Sequence, residues 1–335
     1  MTPSELKTYL YRLIKRNIKI ATMIWGPPGI GKSSIVKQIA DKLGIGFIDL
    51  RLSQLAPTDL RGLPVADHNN NTSRWYFPEF LPTEGNGILF LDELNMAPPA
   101  LQGVAQQLIL DRRVGSYVVP EGWFVWAAGN RREDRAAVFE MPAPLANRFL
   151  HLQVEPNFDS FIVHALETQV HEDIIAVVNY KNSLLFKFEP HQPAWCSPRS
   201  WVMASNLHYV GLDIASAVGE EAAAEFRASI ALKKALPDLN LVLAGNGSKI
   251  AFPKELSLGH TVVTSLIVKA ENAEQACNAF NWLIDKAVAE WVHLFAKDII
   301  TQMRIRGQLG ALAILVQQDS KLQQFLKDYR ELLGF

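Results

Sequence analysis

The pattern of apolar and polar positions divides the chain into two parts of different character. In the first part, five apolar runs alternate with stretches of helical periodicity, at residues 34–43 and 98–110. Apolar runs separated by helices predict a parallel sheet with helices on both faces. The predicted strands lie at residues 18–25, 47–52, 87–91, 123–127 and 149–154.

Two insertions interrupt this alternation. Residues 57–81 contain a polar tract at 67–73, which is followed by the aromatic run 74–77. Turn-forming polar residues before such a run predict a β-hairpin. The second insertion, at residues 113–120, is typical of a short β-ribbon.

In the second part of the chain, helical periodicity dominates from residue 156 to the end. Apolar residues near the end recur at helical spacing, which indicates a buried helix face rather than a cofactor site. These residues are Phe280, Leu283, Ile284, Trp291, Leu294, Phe295 and Ile299. We predict an α/β domain over residues 1–155, a helical domain over 156–250 and a C-terminal helical extension over 251–335.

The start of the chain, residues 1–17, is predicted to form an amphipathic helix with a capping box of Thr2 and Glu5. Packing on the core is favoured for its apolar face, and a membrane surface is the alternative. The residues of that face are Leu6, Leu10, Leu13 and Ile14. The charges are spread unlike those of a signal peptide, and no apolar run reaches the roughly 18 residues of a membrane span. We therefore expect a cytoplasmic protein.

Charge and cysteine content argue against some classes of partner and of structural site. Lys and Arg number 33 and Asp and Glu 34, which gives a net charge of −1. A nucleic-acid partner is therefore not indicated, although a local basic patch remains possible. Cys196 and Cys277 are far apart in sequence and predict neither a disulfide framework nor a zinc site.

A phosphate-binding motif follows the first predicted strand. Residues 26–33 read Gly-Pro-Pro-Gly-Ile-Gly-Lys-Ser, which matches G-x-x-x-x-G-K-[ST] between a strand and a helix. Its backbone amides would face phosphates, Lys32 would reach the β- and γ-phosphates, and Ser33 would hold Mg²⁺. The predicted binding residues are Gly26, Pro27, Pro28, Gly29, Ile30, Gly31, Lys32, Ser33 and Ser34.

Polar residues follow the third and fourth predicted strands. Asp92 and Glu93 come directly after a buried apolar run, and parallel strands deliver such residues to the carboxyl edge of a sheet. Asp92 is predicted to hold Mg²⁺, and Glu93 to polarise the attacking water. Asn130 follows the next strand and is predicted to orient that water beside the γ-phosphate.

Arginines complete the predicted chemistry. Arg148 ends a helical segment before the fifth strand and cannot easily fold back to its own phosphate loop. It is predicted to reach a neighbouring subunit's γ-phosphate as an arginine finger. A nearby cluster could share this task; its members are Arg131, Arg132 and Arg135.

A further arginine follows a predicted helix start. Ser197 is a plausible N-cap and Pro198 the first helical residue. This geometry directs Arg199 from the start of a helix toward the ligand, so Arg199 is predicted to sense phosphate.

Taken together, these motifs resemble the AAA+ ATPases, and in particular the MoxR branch with its dynein-related relatives, such as the CbbQ and NorQ activators and gas-vesicle proteins. The likeness covers residues 18–240, and its motifs lie at 26–33, 88–99, 127–130, 145–149 and 197–200.

The resemblance assigns a role to each motif. It implies a Walker A loop at 26–33, a Walker B pair at Asp92 and Glu93, and a first sensor at Asn130. It also implies an arginine finger at Arg148 and a second sensor at Arg199 on a helical lid.

The resemblance also implies a P-loop NTPase fold, a parallel five-stranded sheet followed by an all-α lid and a C-terminal helical region. The insertions correspond to a helix-2 insert and a pre-sensor hairpin. A hexameric ring is implied, with ATP and Mg²⁺ at each subunit boundary and a protein client engaged through a von Willebrand A-domain adaptor.

Alternatives remain for the inserts and for the function. The aromatic residues of the first insert could pack the hairpin onto the sheet, which is favoured, or contact a client; they are Trp75, Tyr76, Phe77 and Phe80. A nucleic-acid motor of restriction or defence type is an alternative function, supported by the basic residues at 111–115 and 131–132. A nucleotide-gated scaffold is a third, against which Glu93, Asn130 and Arg148 argue.

Overall fold

The computed structural model describes residues 1–134, 139–189, 191–233, 236 and 238–333. It divides into two compact units, Met1–Asn157 and Phe158–Phe335, called here the first and second unit. Among the described residues, no helix combines the length and apolar character that crossing a membrane requires.

The first unit contains a five-stranded parallel sheet with flanking helices, which confirms the predicted fold class. The strands are β1 (Thr22–Trp25), β2 (Gly46–Arg51), β3 (Leu63–Asp67), β4 (Thr72–Tyr76), β5 (Gly87–Asp92), β6 (Arg113–Val114), β7 (Tyr117–Val118), β8 (Trp123–Gly129) and β9 (Leu150–Gln153). The helices are α1 (Pro3–Lys15), α2 (Lys32–Leu43), α3 (Pro57–Arg61), α4 (Pro99–Leu110) and α5 (Ala143–Ala146). The sheet order is β2-β5-β8-β1-β9, and β3/β4 and β6/β7 form separate antiparallel pairs.

The interior strands explain why the sequence reads as continuous apolar runs. Every residue of β8 is buried, as is every residue of β5 before Asp92. Strands covered on both faces need apolar side chains at successive positions rather than at alternate ones. The first predicted strand was too long, since β1 begins at Thr22 and not at residue 18.

The N-terminal helix packs on the first unit, as predicted. The Glu5 amide donates to Thr2 Oγ1 at 3.2 Å, and the Thr2 amide donates to Glu5 Oε2 at 2.8 Å, which completes the capping box. Leu6, Leu10 and Leu13 are buried. Helix α1 packs against α2, so its apolar face is covered by protein.

The two inserts contact each other. The Ser116 hydroxyl donates to the Trp75 carbonyl at 2.9 Å, and the rings of Phe77 and Tyr117 are 5.2 Å apart. Phe80 packs against the core, as the packing interpretation predicts. That interpretation is wrong for Tyr76, which is 61% exposed and pairs across the ribbon with Leu63, which is also exposed.

The regular secondary structure described for the second unit is helical, and an isolated bridge joins Lys187 to Cys196. One apolar core extends from Phe161 to Leu322 and includes the two cysteines, both free and buried. Its helices are α6 (Phe158–Glu167), α7 (Glu172–Tyr180), α8 (Pro198–Tyr209), α9 (Ala215–Val218), α10 (Glu220–Lys233), α11 (Leu239–Leu243), α12 (Leu256–Lys269), α13 (Ala273–Lys286), α14 (Ala289–Ile305), α15 (Leu309–Gln318) and α16 (Ser320–Leu333). The predicted buried face of α13 and α14 is confirmed, since Phe280, Leu283, Phe295 and Ile299 are buried.

A buried carboxyl makes the stability of the second unit depend on pH. Burial raises the pKa of Asp298 from 3.8 to about 6, with Lys297 opposing the shift and Asp159 adding to it. The folded state therefore holds the Asp298 proton more tightly than the unfolded chain does. This contribution to stability is complete below pH 4 and is lost as the pH rises through about 6.

We expect Asp298→Asn to stabilise the protein more at neutral pH than at acidic pH, because the amide never has to bury a charge. The gain in the free energy of unfolding should be about 2 kcal/mol larger at about pH 7.5 than at about pH 4.5. Denaturant unfolding at the two pH values measures this difference. Glu290→Gln, on an exposed face of α14, is the control, and an equal gain from Asp298→Asn at both pH values would contradict the assignment.

Candidate functional site

The loops that leave three neighbouring strands meet at the carboxyl edge of the sheet. Leu91 of β5 pairs with Ala127 of β8, and Trp25 of β1 pairs with Gly129 of the same strand. The phosphate-binding motif follows β1 and Asn130 follows β8, while the acidic pair lies at the end of β5. Parallel topology therefore brings together motifs that are far apart in sequence.

The loop between β1 and α2 depends on glycine at three positions. Gly29 and Gly31 have φ values of 82° and 91°, in the left-handed region that glycine adopts without strain. A Cβ on Gly26 would lie 2.6 Å from the Val154 carbonyl oxygen, so no larger residue fits there without a shift of the backbone. The loop leads directly into α2, whose N-terminus has no side-chain cap. Uncapped amides at a helix N-terminus favour an anion.

Lys32 lies inside this loop, at the first position of α2. Its side chain is buried, and Nζ donates to the Gly26 carbonyl at 2.7 Å, the Pro27 carbonyl at 3.1 Å and Asn130 Oδ1 at 2.9 Å. These three oxygens hold the ammonium group between the loop and the end of β8.

Ser33 and Asp92 are brought into direct contact. The Ser33 hydroxyl donates to Asp92 Oδ2 at 2.5 Å, and Asp92 Oδ1 accepts the Glu93 amide at 2.9 Å. A hydroxyl and a carboxylate oxygen at this separation are the ligand types that Mg²⁺ prefers.

Glu93 lies in a sharp turn directly after β5. Its backbone is left-handed, with φ 57° and ψ 32°, which costs a non-glycine residue about 1 kcal/mol. The Ser53 hydroxyl donates to Glu93 Oε2 and holds the carboxylate. Ser53 is not among the predicted site residues; its signal in the sequence is a polar side chain directly after the second predicted strand, which does not identify its partner.

Asn130 is positioned by a second residue that the sequence analysis missed, Asn95. Asn95 Nδ2 donates to the Asn130 carbonyl at 2.7 Å, and the Asn130 amide donates to Asn95 Oδ1 at 3.2 Å. A Cβ on Gly129 would lie 2.3 Å from Asn95 Oδ1, so glycine is needed for this approach. These two hydrogen bonds fix the position of the Asn130 backbone. The Asn130 side chain accepts a hydrogen bond from Lys32.

The carboxyl groups of Asp49, Asp92 and Glu93 interact electrostatically near this edge of the sheet. Burial raises the pKa of Asp49 above its usual value, and the nearby carboxylates of Asp92 and Glu93 raise it further, while Arg51 opposes them. A divalent cation beside Asp92 would offset this repulsion.

The predicted arginines differ in their surroundings. Arg148 is exposed, between the buried residues Leu145 and Phe149. Arg131 is held within its own loop, because its guanidinium donates to both Asp134 oxygens at 3.0 and 3.1 Å and pairs with Glu133 at 2.9 Å. The Arg132 side chain and the whole of Arg135 lie outside the described part of the chain.

Arg199 lies in the second unit, near the start of α8, and is exposed. The predicted cap is confirmed, since the Ser200 amide donates to Ser197 Oγ at 3.1 Å. The structure thus brings together Lys32, Ser33, Asp92, Glu93 and Asn130. In the described contacts of the first unit, Arg148 does not bond to that group, and the roles of Arg148 and Arg199 stay predictions.

Comparison with known proteins agrees with this geometry. Residues 22–134 match the family described as ATPase family associated with various cellular activities (AAA). The matched segment includes the phosphate-binding loop, the acidic pair and Asn130.

A curated relative aligns over part of the chain. Midasin of Giardia intestinalis is 29% identical over 144 residues, which is 40% of this chain and 3% of Midasin. Among solved structures, a RuvB mutant of Thermotoga maritima is 15% identical, with a TM-score of 0.40, over 79% of this chain and 82% of its own. NtrX of Brucella abortus in complex with ADP is 15% identical, with a TM-score of 0.41, over 93% of this chain and 68% of its own.

Proposed function

We propose that this protein is an ATP-hydrolysing AAA+ motor of the MoxR type, which works as a ring and remodels a protein client. The observation that carries the proposal is the convergence of Lys32, Ser33, Asp92, Glu93 and Asn130 on one loop at one edge of the sheet. The match of residues 22–134 to an ATPase family supports the same reaction.

The chain's own residues fit ATP and Mg²⁺. The loop amides and the N-terminus of α2 would bind the phosphates, and Lys32 would exchange its contacts with loop carbonyls for phosphate oxygens. Ser33 and Asp92 would hold Mg²⁺, which neutralises phosphate charge when it is bound. The two oxygens are neighbours, so both side chains would be within reach of one small cation that replaced their hydrogen bond.

Glu93 and Asn130 would act on the attacking water. Glu93 accepts a proton from the water, and Ser53 holds the carboxylate in position through its hydroxyl. Asn130 has its backbone set by Asn95 and presents its amide beside Lys32. Lys32 stabilises negative charge on the phosphate as the bond to the leaving group breaks.

We propose that Arg148 acts on the site of the neighbouring subunit. Its exposed side chain is available to a neighbour, and buried residues on both sides hold its backbone. A finger that works only between subunits requires a closed ring, which we propose is a hexamer.

A protein client is supported by the exposed apolar side chains of the two inserts. Leu63, Tyr76 and Val118 are each about 60% exposed, at 62%, 61% and 64%. Apolar side chains exposed on linked hairpins are suited to contact with another protein. We propose that they contact the client, with a von Willebrand A-domain protein as the adaptor.

Mixing two inactive variants tests the function. Arg148→Ala alone should bind ATP and lower kcat by about 10³-fold, since it removes transition-state charge stabilisation. Mixed with Glu93→Gln subunits, it should regain turnover, because some interfaces then pair an intact Arg148 with an intact Glu93. Phosphate release across mixing ratios is the measurement.

Two controls make this experiment specific. A double variant, Arg148→Ala with Glu93→Gln, should stay inactive when mixed with Glu93→Gln, because no intact Glu93 is present. Arg16→Ala changes an exposed arginine of the same unit and should keep wild-type turnover. If no ratio of the two single variants regains turnover, Arg148 does not act between subunits.

A further inference from the structure

One side chain bonds both to the strand that enters the nucleotide loop and to the turn that carries Arg148. Trp25 Nε1 donates to His151 Nδ1 at 2.8 Å, and His151 Nε2 lies 2.7 Å from the Ala146 carbonyl oxygen. Because Nδ1 accepts the indole proton, Nε2 carries the imidazole proton and donates it to Ala146. Both bonds together require the neutral ring in this one tautomer.

The sheet places these two rings side by side. In the parallel pair of β1 and β9, Met23 lies opposite His151, and Trp25 lies opposite Gln153. Trp25 and His151 are therefore diagonal neighbours on one face of the sheet, within reach of long side chains. Their rings are nearly parallel, at 14°, with centroids 6.0 Å apart.

At one end, this link reaches the nucleotide loop. Trp25 directly precedes Gly26, whose carbonyl accepts from Lys32 at 2.7 Å. The Trp25 carbonyl accepts the Val154 amide at 2.8 Å, and Gly26 lies close against Val154. A rearrangement of the Lys32 contacts would therefore act on the residue next to Trp25.

At the other end, the link reaches the turn before β9. The Ala146 carbonyl accepts the Phe149 amide at 3.2 Å in addition to the His151 ring. The Arg148 amide donates to the Leu145 carbonyl at 3.1 Å. His151 thus bonds to the same tight turn that sets the direction of Arg148.

We propose that His151 is a positioning residue that connects the nucleotide loop of a subunit to the arginine finger of the same subunit. The finger acts on the next subunit, so the state of one site would set how the next site hydrolyses ATP. This proposal rests on the proposed function, and it identifies the Trp25–His151–Ala146 chain as the physical connection. Two nucleotide sites are coupled in this way only when the arrangement of one structural element depends on the state of both sites.

Three substitutions distinguish the effect of the His151 hydrogen bonds from the effect of its aromatic ring. His151→Phe keeps an aromatic ring and loses both hydrogen bonds, while Trp25→Phe removes the indole donor and keeps a smaller aromatic ring. Each should leave the Kd for ADP within about twofold, lower kcat about tenfold and bring the Hill coefficient for ATP hydrolysis close to one. His151→Gln supplies one acceptor and one donor and should restore both kcat and cooperativity.

The outcomes distinguish this proposal from the function it rests on. If Arg148→Ala is inactive while His151→Phe retains wild-type kcat and Hill coefficient, the connection is wrong and the finger stands. If Arg148→Ala hydrolyses ATP normally, both proposals fail. A kcat for His151→Phe equal to that of His151→Gln would also contradict the connection, because the two hydrogen bonds would then have no effect. His68→Phe, an exposed histidine in the β3–β4 turn, should behave as wild type.

Discussion

Replacing Lys32 with alanine is expected to abolish ATP binding. The Lys32 ammonium is buried and has oxygen partners at 2.7, 2.9 and 3.1 Å in the loop and at Asn130. Alanine removes the cation that would bind the phosphates. Each charge-assisted bond contributes about 1.5–3 kcal/mol, so affinity should fall at least about 100-fold. Equilibrium binding of a fluorescent ATP analogue measures the change.

Helix α2 offers a matched control for this substitution. Lys37→Ala changes an exposed lysine of the same helix and should leave the affinity unchanged. Melting curves of both variants would show whether the fold is preserved. ATP affinity within about threefold of wild type in a folded Lys32→Ala protein would contradict the proposed binding site.

Replacing Glu93 with glutamine is expected to stop turnover while ATP binding is retained. Glutamine keeps an oxygen that can accept from Ser53, so the turn after β5 should keep its structure. It cannot accept a proton from water, and a general base contributes about 10²–10⁴-fold to rate. We therefore expect kcat to fall at least about 100-fold, with Kd for ATP unchanged within about threefold. Phosphate release and equilibrium binding are the two measurements.

An exposed acid in the same unit controls for the loss of charge. Glu79→Gln should retain wild-type kcat, because Glu79 is an exposed residue of the first insert. Turnover by Glu93→Gln above about a tenth of the wild-type rate would assign the base to another residue.

The strands, the phosphate-binding loop and the acidic pair could be predicted from the sequence, because each depends on a local pattern. A strand covered on both faces requires a continuous apolar run, as β5 and β8 show. The loop requires glycine where φ is positive, at Gly29 and Gly31. Parallel strands then bring their carboxyl ends together by topology alone.

The supporting residues could not be predicted, because their roles depend on contacts across the fold. Ser53 meets Glu93 only because β2 and β5 are neighbours in the sheet. Asn95 reaches Asn130 through the close approach of Gly129, and His151 reaches Trp25 through the register of β1 and β9. A single sequence contains no local signal for strand order or register. The exposure of Tyr76 likewise depends on what covers the hairpin.

The central claim is that a triphosphate binds between Lys32 and the acidic pair and is cleaved with the help of the next subunit. The most direct measurement is an electron cryomicroscopy structure of the assembled Glu93→Gln protein with ATP and Mg²⁺. We predict a closed ring with the γ-phosphate at Lys32 and with Arg148 of the adjoining subunit facing it. A ring with no nucleotide in that loop, or with Arg148 remote from every subunit boundary, would contradict the claim.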